Sequence, residues 1–238
     1  MKISHFVWML AFGAGLLLLS CQPNGNEEHP DTTVSTNDTT APSPQKENRK
    51  TSEGVSEDYT NTDRVIWQKP DLVLGQLGNL EGKTVADIGA GTGFFALRMA
   101  QKAKKVIAVD IDPRFTAYLD SIKVLELPEN LQSRLETRLG APNDPKLAPN
   151  EADAVIIVNT FMYIRNQAEY LTTLKKGLKP GGKVLIVDFK KKRTPVGPPT
   201  AIRSDLYSVE EALYQAGYKR IVANDTSLDY QYIIIGEK

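Results

Sequence analysis

The sequence predicts an α/β domain: a parallel sheet covered by helices on both faces, a three-layer α/β/α sandwich, closed by an antiparallel hairpin. Two observations carry this. From residue 59 onward, near-continuous apolar, β-branched runs alternate with segments of helical periodicity, the signature of strands buried on both faces. At the carboxyl end two strand-like runs follow one another with only a short turn between them. So short a gap cannot hold a crossover helix and forces antiparallel pairing.

In chain order, Thr84–Ile88, Val106–Val109, Ala152–Val158 and Lys183–Val187 read as strands, each a compact run of Val, Ile, Leu and Ala. Phe94–Ala103, Pro113–Leu125 and Gln167–Leu178 repeat apolar residues at helical spacing. SVEEALYQAGY reads as a last helix, with Ser208 as N-cap, Glu211 closing a capping box and Gly217 as the stop. Lys219–Ala223 and Tyr230–Ile235 form the hairpin. No repeat of fixed period interrupts the pattern.

Composition sets bounds. Lys plus Arg equals Asp plus Glu, 29 each in 238 residues, so the chain lacks the basic excess of a general nucleic-acid binder. A single cysteine excludes an internal disulfide and a cysteine metal cluster, and no metal site is expected. That cysteine closes MKISHFVWMLAFGAGLLLLSC. Its apolar stretch is shorter than the ~20 residues of a spanning helix and suits a secretory signal. Leu18-Leu19-Ser20-Cys21 resembles the lipobox of bacterial lipoproteins, which implies cleavage before Cys21, its lipidation, and anchoring to an envelope membrane. An uncleaved anchor with an incidental thiol is the alternative. Residues 22–58 have no aromatic and almost no aliphatic side chain, too little apolar surface to offset ordering entropy. The expected division is a signal over 1–20, a tether over 21–58 and a folded domain over 59–238.

The first strand runs into VADIGAGTGFF. Ligands of open α/β sheets bind at the carboxyl ends of strands, where strand order reverses. A dinucleotide fingerprint would need glycine at position 94, which is Phe94, so the pattern is G-x-G-x-G with Asp87 just ahead of it. A carboxylate there repels a pyrophosphate and suits a ligand with an amino group. Asp110 ends the second strand, roughly twenty residues on, where a carboxylate accepts both hydroxyls of a ribose.

Here the chain resembles the class I S-adenosylmethionine-dependent methyltransferases. VADIGAGTG is similar to their first motif, VIAVDID to their second-strand acid motif, EADAVIIVNT to their fourth strand, and LKKGLKPGGKVLIVD to their helix, turn and fifth strand. The resemblance implies a seven-stranded sheet of order 3-2-1-4-5-7-6 with strand 7 antiparallel, and S-adenosylmethionine as cofactor. It implies that Asp87 faces the methionine amino group, directly or through water. Gly89, Gly91 and Gly93 line the turn, with Gly89 and Gly91 admitting the methionine part. Asp110 holds the ribose, Ile111 and the Gly140-Ala141 pair meet the adenine, and Asn159 lies nearest the sulfonium. An acid commonly follows that third-strand glycine in the family, and alanine stands here. RVIWQKPD is similar to a segment folded over the cofactor, making Arg64, Trp67 and Gln68 candidates. Read without the resemblance, Asp87 caps the following turn, Asp110 and Asn159 satisfy strand-end donors, and Trp67 is a core anchor. Phe94, Phe161 and Tyr163 either pack or offer ring faces to a cation.

The acceptor is less legible. Asn159-Thr160-Phe161-Met162 lacks the Asn-Pro-Pro-aromatic motif of enzymes that methylate planar amines, and both histidines fall before residue 59. Asn159, Tyr163 and Arg203 are the candidate catalytic residues. Lys190–Arg193 form a positive run, either a solvated loop or an attraction for an anionic small-molecule acceptor or lipid headgroups. The expected function is methyl transfer to a small molecule; the alternative is a non-catalytic envelope lipoprotein that reuses the fold for binding.

Overall fold

The computed structural model describes residues 63–238. The signal, the tether and Cys21 lie outside the described residues. A short helix pair, α1 (Arg64–Gln68) and α2 (Pro70–Gly75), precedes β1 (Thr84–Ile88), α3 (Ala96–Ala100), β2 (Lys105–Asp110), α4 (Pro113–Glu126), α5 (Glu129–Gln132) and β3 (Leu135–Leu139). Then come β4 (Ala152–Val158), α6 (Gln167–Gly177), β5 (Leu178–Phe189), α7 (Leu206–Gln215), β6 (Lys219–Asn224) and β7 (Gln231–Glu237). The seven strands lie in the order β3-β2-β1-β4-β5-β7-β6. All neighbours pair parallel except β5–β7 and β7–β6, which are antiparallel. The sheet is the one the sequence and the resemblance together imply.

Two apolar clusters cover its faces. On one, Val73 and Leu74 of α2, Met99 of α3 and Leu119 of α4 pack on Val85, Val106, Ile156 and Leu185. On the other, Leu171 and Leu174 of α6 and Val209 and Leu213 of α7 pack on Ile107, Val155, Ile186 and Ile234. The alternation of side chains along each strand divides every apolar run between the two layers.

Several elements differ from expectation for physical reasons. The helix expected over Phe94–Ala103 is only Ala96–Ala100, because Gly91 and Gly93 hold φ of 54° and 85° and keep the chain in turns up to Phe95. The N-cap of α7 is Asp205 rather than Ser208: its carboxylate accepts the Ser208 N–H and Oγ–H, both at 2.9 Å. Gly217, at φ 74°, does end that helix, with the Tyr218 N–H returning to the Leu213 carbonyl. β3 carries no apolar run to announce it. As an edge strand it buries only Leu135, and its outer residues exchange ion pairs, Arg138 with Glu136 and Glu151.

Candidate functional site

The sheet reverses its strand order between β1 and β4, and a cavity of about 840 Å³ opens at the carboxyl ends of β1, β2 and β4. Its wall brings together Arg64, Gly89, Gly91, Asp110, Ile111, Gly140, Ala141, Asn159 and Tyr163. These residues are up to 99 positions apart, and the parallel register alone sets their strand ends side by side.

The glycine turn is built for close approach. The Gly89 and Ala90 N–H groups donate to the Val109 carbonyl, tying the turn across to β2. A Cβ at Gly89 would stand 2.3 Å from Thr160 Oγ1. Gly91 is different: at φ 54°, a Cβ there would meet nothing within 4 Å, so its bare backbone faces open space. The Gly91 N–H donates to Asp110 Oδ2 at 2.9 Å and the Asp112 N–H to Asp110 Oδ1 at 3.0 Å. Two backbone bonds thus hold the carboxylate in place while each oxygen keeps a lone pair for a ligand. Beside it Ile111 stays 59 % exposed, a large aliphatic side chain kept at the cavity mouth.

Other candidates fall elsewhere. Asp87 does not line the cavity; it lies behind the turn, 3 % exposed, and accepts the Ala96 backbone N–H. Burial pushes its carboxyl up to about 7, opposed by the Arg64 guanidinium and reinforced by the charge of Asp110. Gly93 serves packing, since a Cβ there would sit 2.3 Å from Leu119 Cδ2. Trp67 is half-buried and off the cavity wall, its ring against Phe189 and Tyr230 at centroid distances of 5.5 and 6.4 Å. Gln68 is fully buried behind Arg64, whose Nε donates to its Oε1 at 2.6 Å.

Arg203 does not line the cavity. It is buried and clamps the segment after β5, donating to the carbonyls of Pro198, Lys190 and Lys192 at 2.8, 3.0 and 2.9 Å. Lys190 is tied to Asp225 at 3.2 Å and to the Leu228 carbonyl, Lys191–Arg193 are exposed, and none of the four lines the cavity. The Phe94 ring is occupied by the Arg64 and Arg98 guanidinium groups at 4.1 and 4.0 Å, and Phe161 is fully buried. Of those three rings only Tyr163 reaches the wall.

Sequence reasoning missed Asn143, a polar side chain on the wall two positions beyond Ala141, where an acid was looked for. It also missed Arg165 and Glu169, which follow β4 in a stretch with no motif. Gln231 and Asp188 were missed as well, both fully buried polar groups at strand ends.

The residues fit S-adenosylmethionine. Asp110 has free lone pairs for a diol, Ile111 and Ala141 offer apolar contact, and the open Gly91 backbone leaves room where a side chain would intrude. Residues 86–186 match the family model described as a methyltransferase domain. A tRNA U34 carboxymethyltransferase from Cellvibrio japonicus is 30% identical over 119 residues, covering 50% of this chain and 36% of that protein. A demethylmenaquinone methyltransferase from Tropheryma whipplei is 27% identical over 160 residues, covering 63% and 62%. The chain therefore spans less than two thirds of the length of either curated relative. Among solved structures, a SAM-dependent methyltransferase from Aquifex aeolicus superposes with a TM-score of 0.68 at 25% identity, covering 76% of this chain and 95% of that one. By its strand order, its motif positions and these likenesses, the chain has the fold of the class I S-adenosylmethionine-dependent methyltransferases and resembles them across the cofactor-side motifs.

Proposed function

We propose that the protein transfers a methyl group from S-adenosylmethionine to a small acceptor held in this cavity. The observation that carries the reading is the backbone-braced Asp110 carboxylate, set beside an open glycine turn at the point where strand order reverses. When bound, the cofactor supplies an electrophilic methyl group on a sulfonium. Asp110 accepts the ribose hydroxyls, Ile111 covers the adenine, and Gly89 and Gly91 let the backbone approach the methionine part. Asp87, behind the turn, adds negative potential for the ammonium group. An ammonium nearby favours its ionised form, so cofactor affinity falls as pH drops below about 7. Methyl transfer is an in-line displacement, and holding donor and acceptor aligned is worth roughly 7–11 kcal/mol of barrier. The relatives' names cite tRNA, menaquinone and phosphoethanolamine chemistry, three unlike acceptors, and so do not choose one for this chain.

Calorimetry on the full chain tests this. S-adenosylmethionine and S-adenosylhomocysteine bind, and Asp110→Ala weakens both several-fold or more with the fold retained. Absence of binding by either at millimolar concentration ends the reading. The placement that goes with it is an envelope membrane, reached through lipidated Cys21.

A further inference from the structure

Asn159 follows β4 on the cavity wall with φ 56°, left-handed backbone that asparagine tolerates better than most residues. Its carboxamide is not free to turn. Gln231, fully buried at the start of β7, donates from Nε2 to Asn159 Oδ1. Gln231 Oε1 accepts from Gln68 Nε2 at 2.9 Å, and Gln68 Oε1 accepts from Arg64 Nε at 2.6 Å. Taken singly, none of these amides distinguishes its nitrogen from its oxygen. Arg64 does so for all of them, because a guanidinium has donors only. Its N–H requires the Gln68 oxygen, which turns the Gln68 nitrogen to Gln231, which in turn directs the Gln231 nitrogen at Asn159. Reversing any amide would set like groups against each other where water cannot compensate, leaving buried donors and acceptors unpaired. The relay ends at Asn159 Nδ2, which donates to no described residue and is not sealed off.

We infer that Arg64, Gln68 and Gln231 lock Asn159 as an N–H donor toward the cavity, and that the methyl-accepting atom held there is a phenolic or carboxylic oxygen rather than an amine nitrogen. This rests on the methyltransferase reading. An amine nitrogen has one lone pair, which attack on the methyl group consumes, and its own N–H groups then need an oxygen. The Asn159 oxygen is turned to Gln231, which is fully buried and off the cavity wall, so it is not presented to the acceptor. An oxygen nucleophile has lone pairs to spare: one forms the new O–C bond while the S–C pair leaves with sulfur, and another accepts from Asn159 Nδ2. An acceptor that arrives as O–H releases its proton to water. Gln231 is here a positioning residue, acting only through the orientation of Asn159.

The test uses 4-nitrophenol and 4-nitroaniline, similar in size and differing at the atom of interest, titrated calorimetrically into the full chain with and without saturating S-adenosylhomocysteine. The wild-type protein is expected to bind the phenol at least tenfold more tightly. In Gln231→Glu, titrated above the pKa of the buried carboxyl, the ionised group has only acceptors, so Asn159 must turn its nitrogen inward and its oxygen to the cavity, and the preference shifts toward the aniline. Gln68→Glu reverses the relay one link earlier and shifts it the same way, a second route should the first variant not fold. Equal affinity for the two probes, preference for the aniline, or no binding of either by the wild type overturns the inference. A preference unchanged in a folded Gln231→Glu or Gln68→Glu protein overturns the relay as its cause. Failure of S-adenosylhomocysteine to bind, with the phenol preference intact, removes the methyltransferase reading and leaves the relay standing.

Discussion

Asp188, at the end of β5, has one carboxylate oxygen accepting the Met162 N–H at 2.9 Å and the other, fully buried, with no hydrogen-bond partner among the described residues. Burial pushes its carboxyl up to about 8, against the smaller pull of that N–H. Between the ordinary 3.8 and about 8 the folded protein therefore holds a proton that the unfolded chain releases. Stability falls as pH rises through that window, with a ceiling of about 1.4 kcal/mol per pKa unit. Asp188→Asn keeps an oxygen for Met162 and cannot ionise. Its stability advantage over wild type is expected to be small at pH 4, to grow to a few kcal/mol by pH 8 and then to level off, read by denaturant unfolding across pH. An advantage independent of pH would place the proton elsewhere. The places of Asp110 and Gly91 on the cavity wall were legible because they follow from a strand end and a turn. Asp188, Gln231 and Gly93 were not, because each role is set by a distant partner: Met162, Asn159 and Leu119 respectively.

Among the elements, α7 offers the plainest test of local reading. The sequence pattern Ser-x-x-Glu suggested a capping box, but the Asp205 carboxylate, three residues earlier, takes the Ser208 N–H and makes Ser208 part of the first turn. Asp205→Ala is expected to cost about 1 kcal/mol, within the 0.5–2 range for a lost N-cap, in chemical denaturation. Glu211→Ala, on the exposed face and outside the cap, should cost less than half of that. Equal costs would restore the capping box. The central strands were visible from apolar runs alone, since both their faces are buried. Edge strand β3 was not, because an edge buries one side and its Leu135-Glu-Thr-Arg-Leu139 reads as ordinary polar sequence. The short α3 was overestimated because helical spacing continues through Phe94 and Phe95, where two positive-φ glycines forbid the helix to begin.

At the scale of the molecule, a folded domain is expected to trail a tether whose composition cannot bury a core. Mass spectrometry of the membrane-extracted protein should find Cys21 as a lipid-modified amino terminus, and an intact Met1 with a free thiol would refute that placement. The topology also constrains when the domain becomes complete. Among the described residues, β6 pairs with no strand but β7, and β7 fills the gap between β5 and β6. It also delivers Gln231 to Asn159. Without β7 the domain would have an orphan strand and an unoriented carboxamide on its cavity wall. Closing the sheet and readying the pocket are thus one event, carried by a single strand.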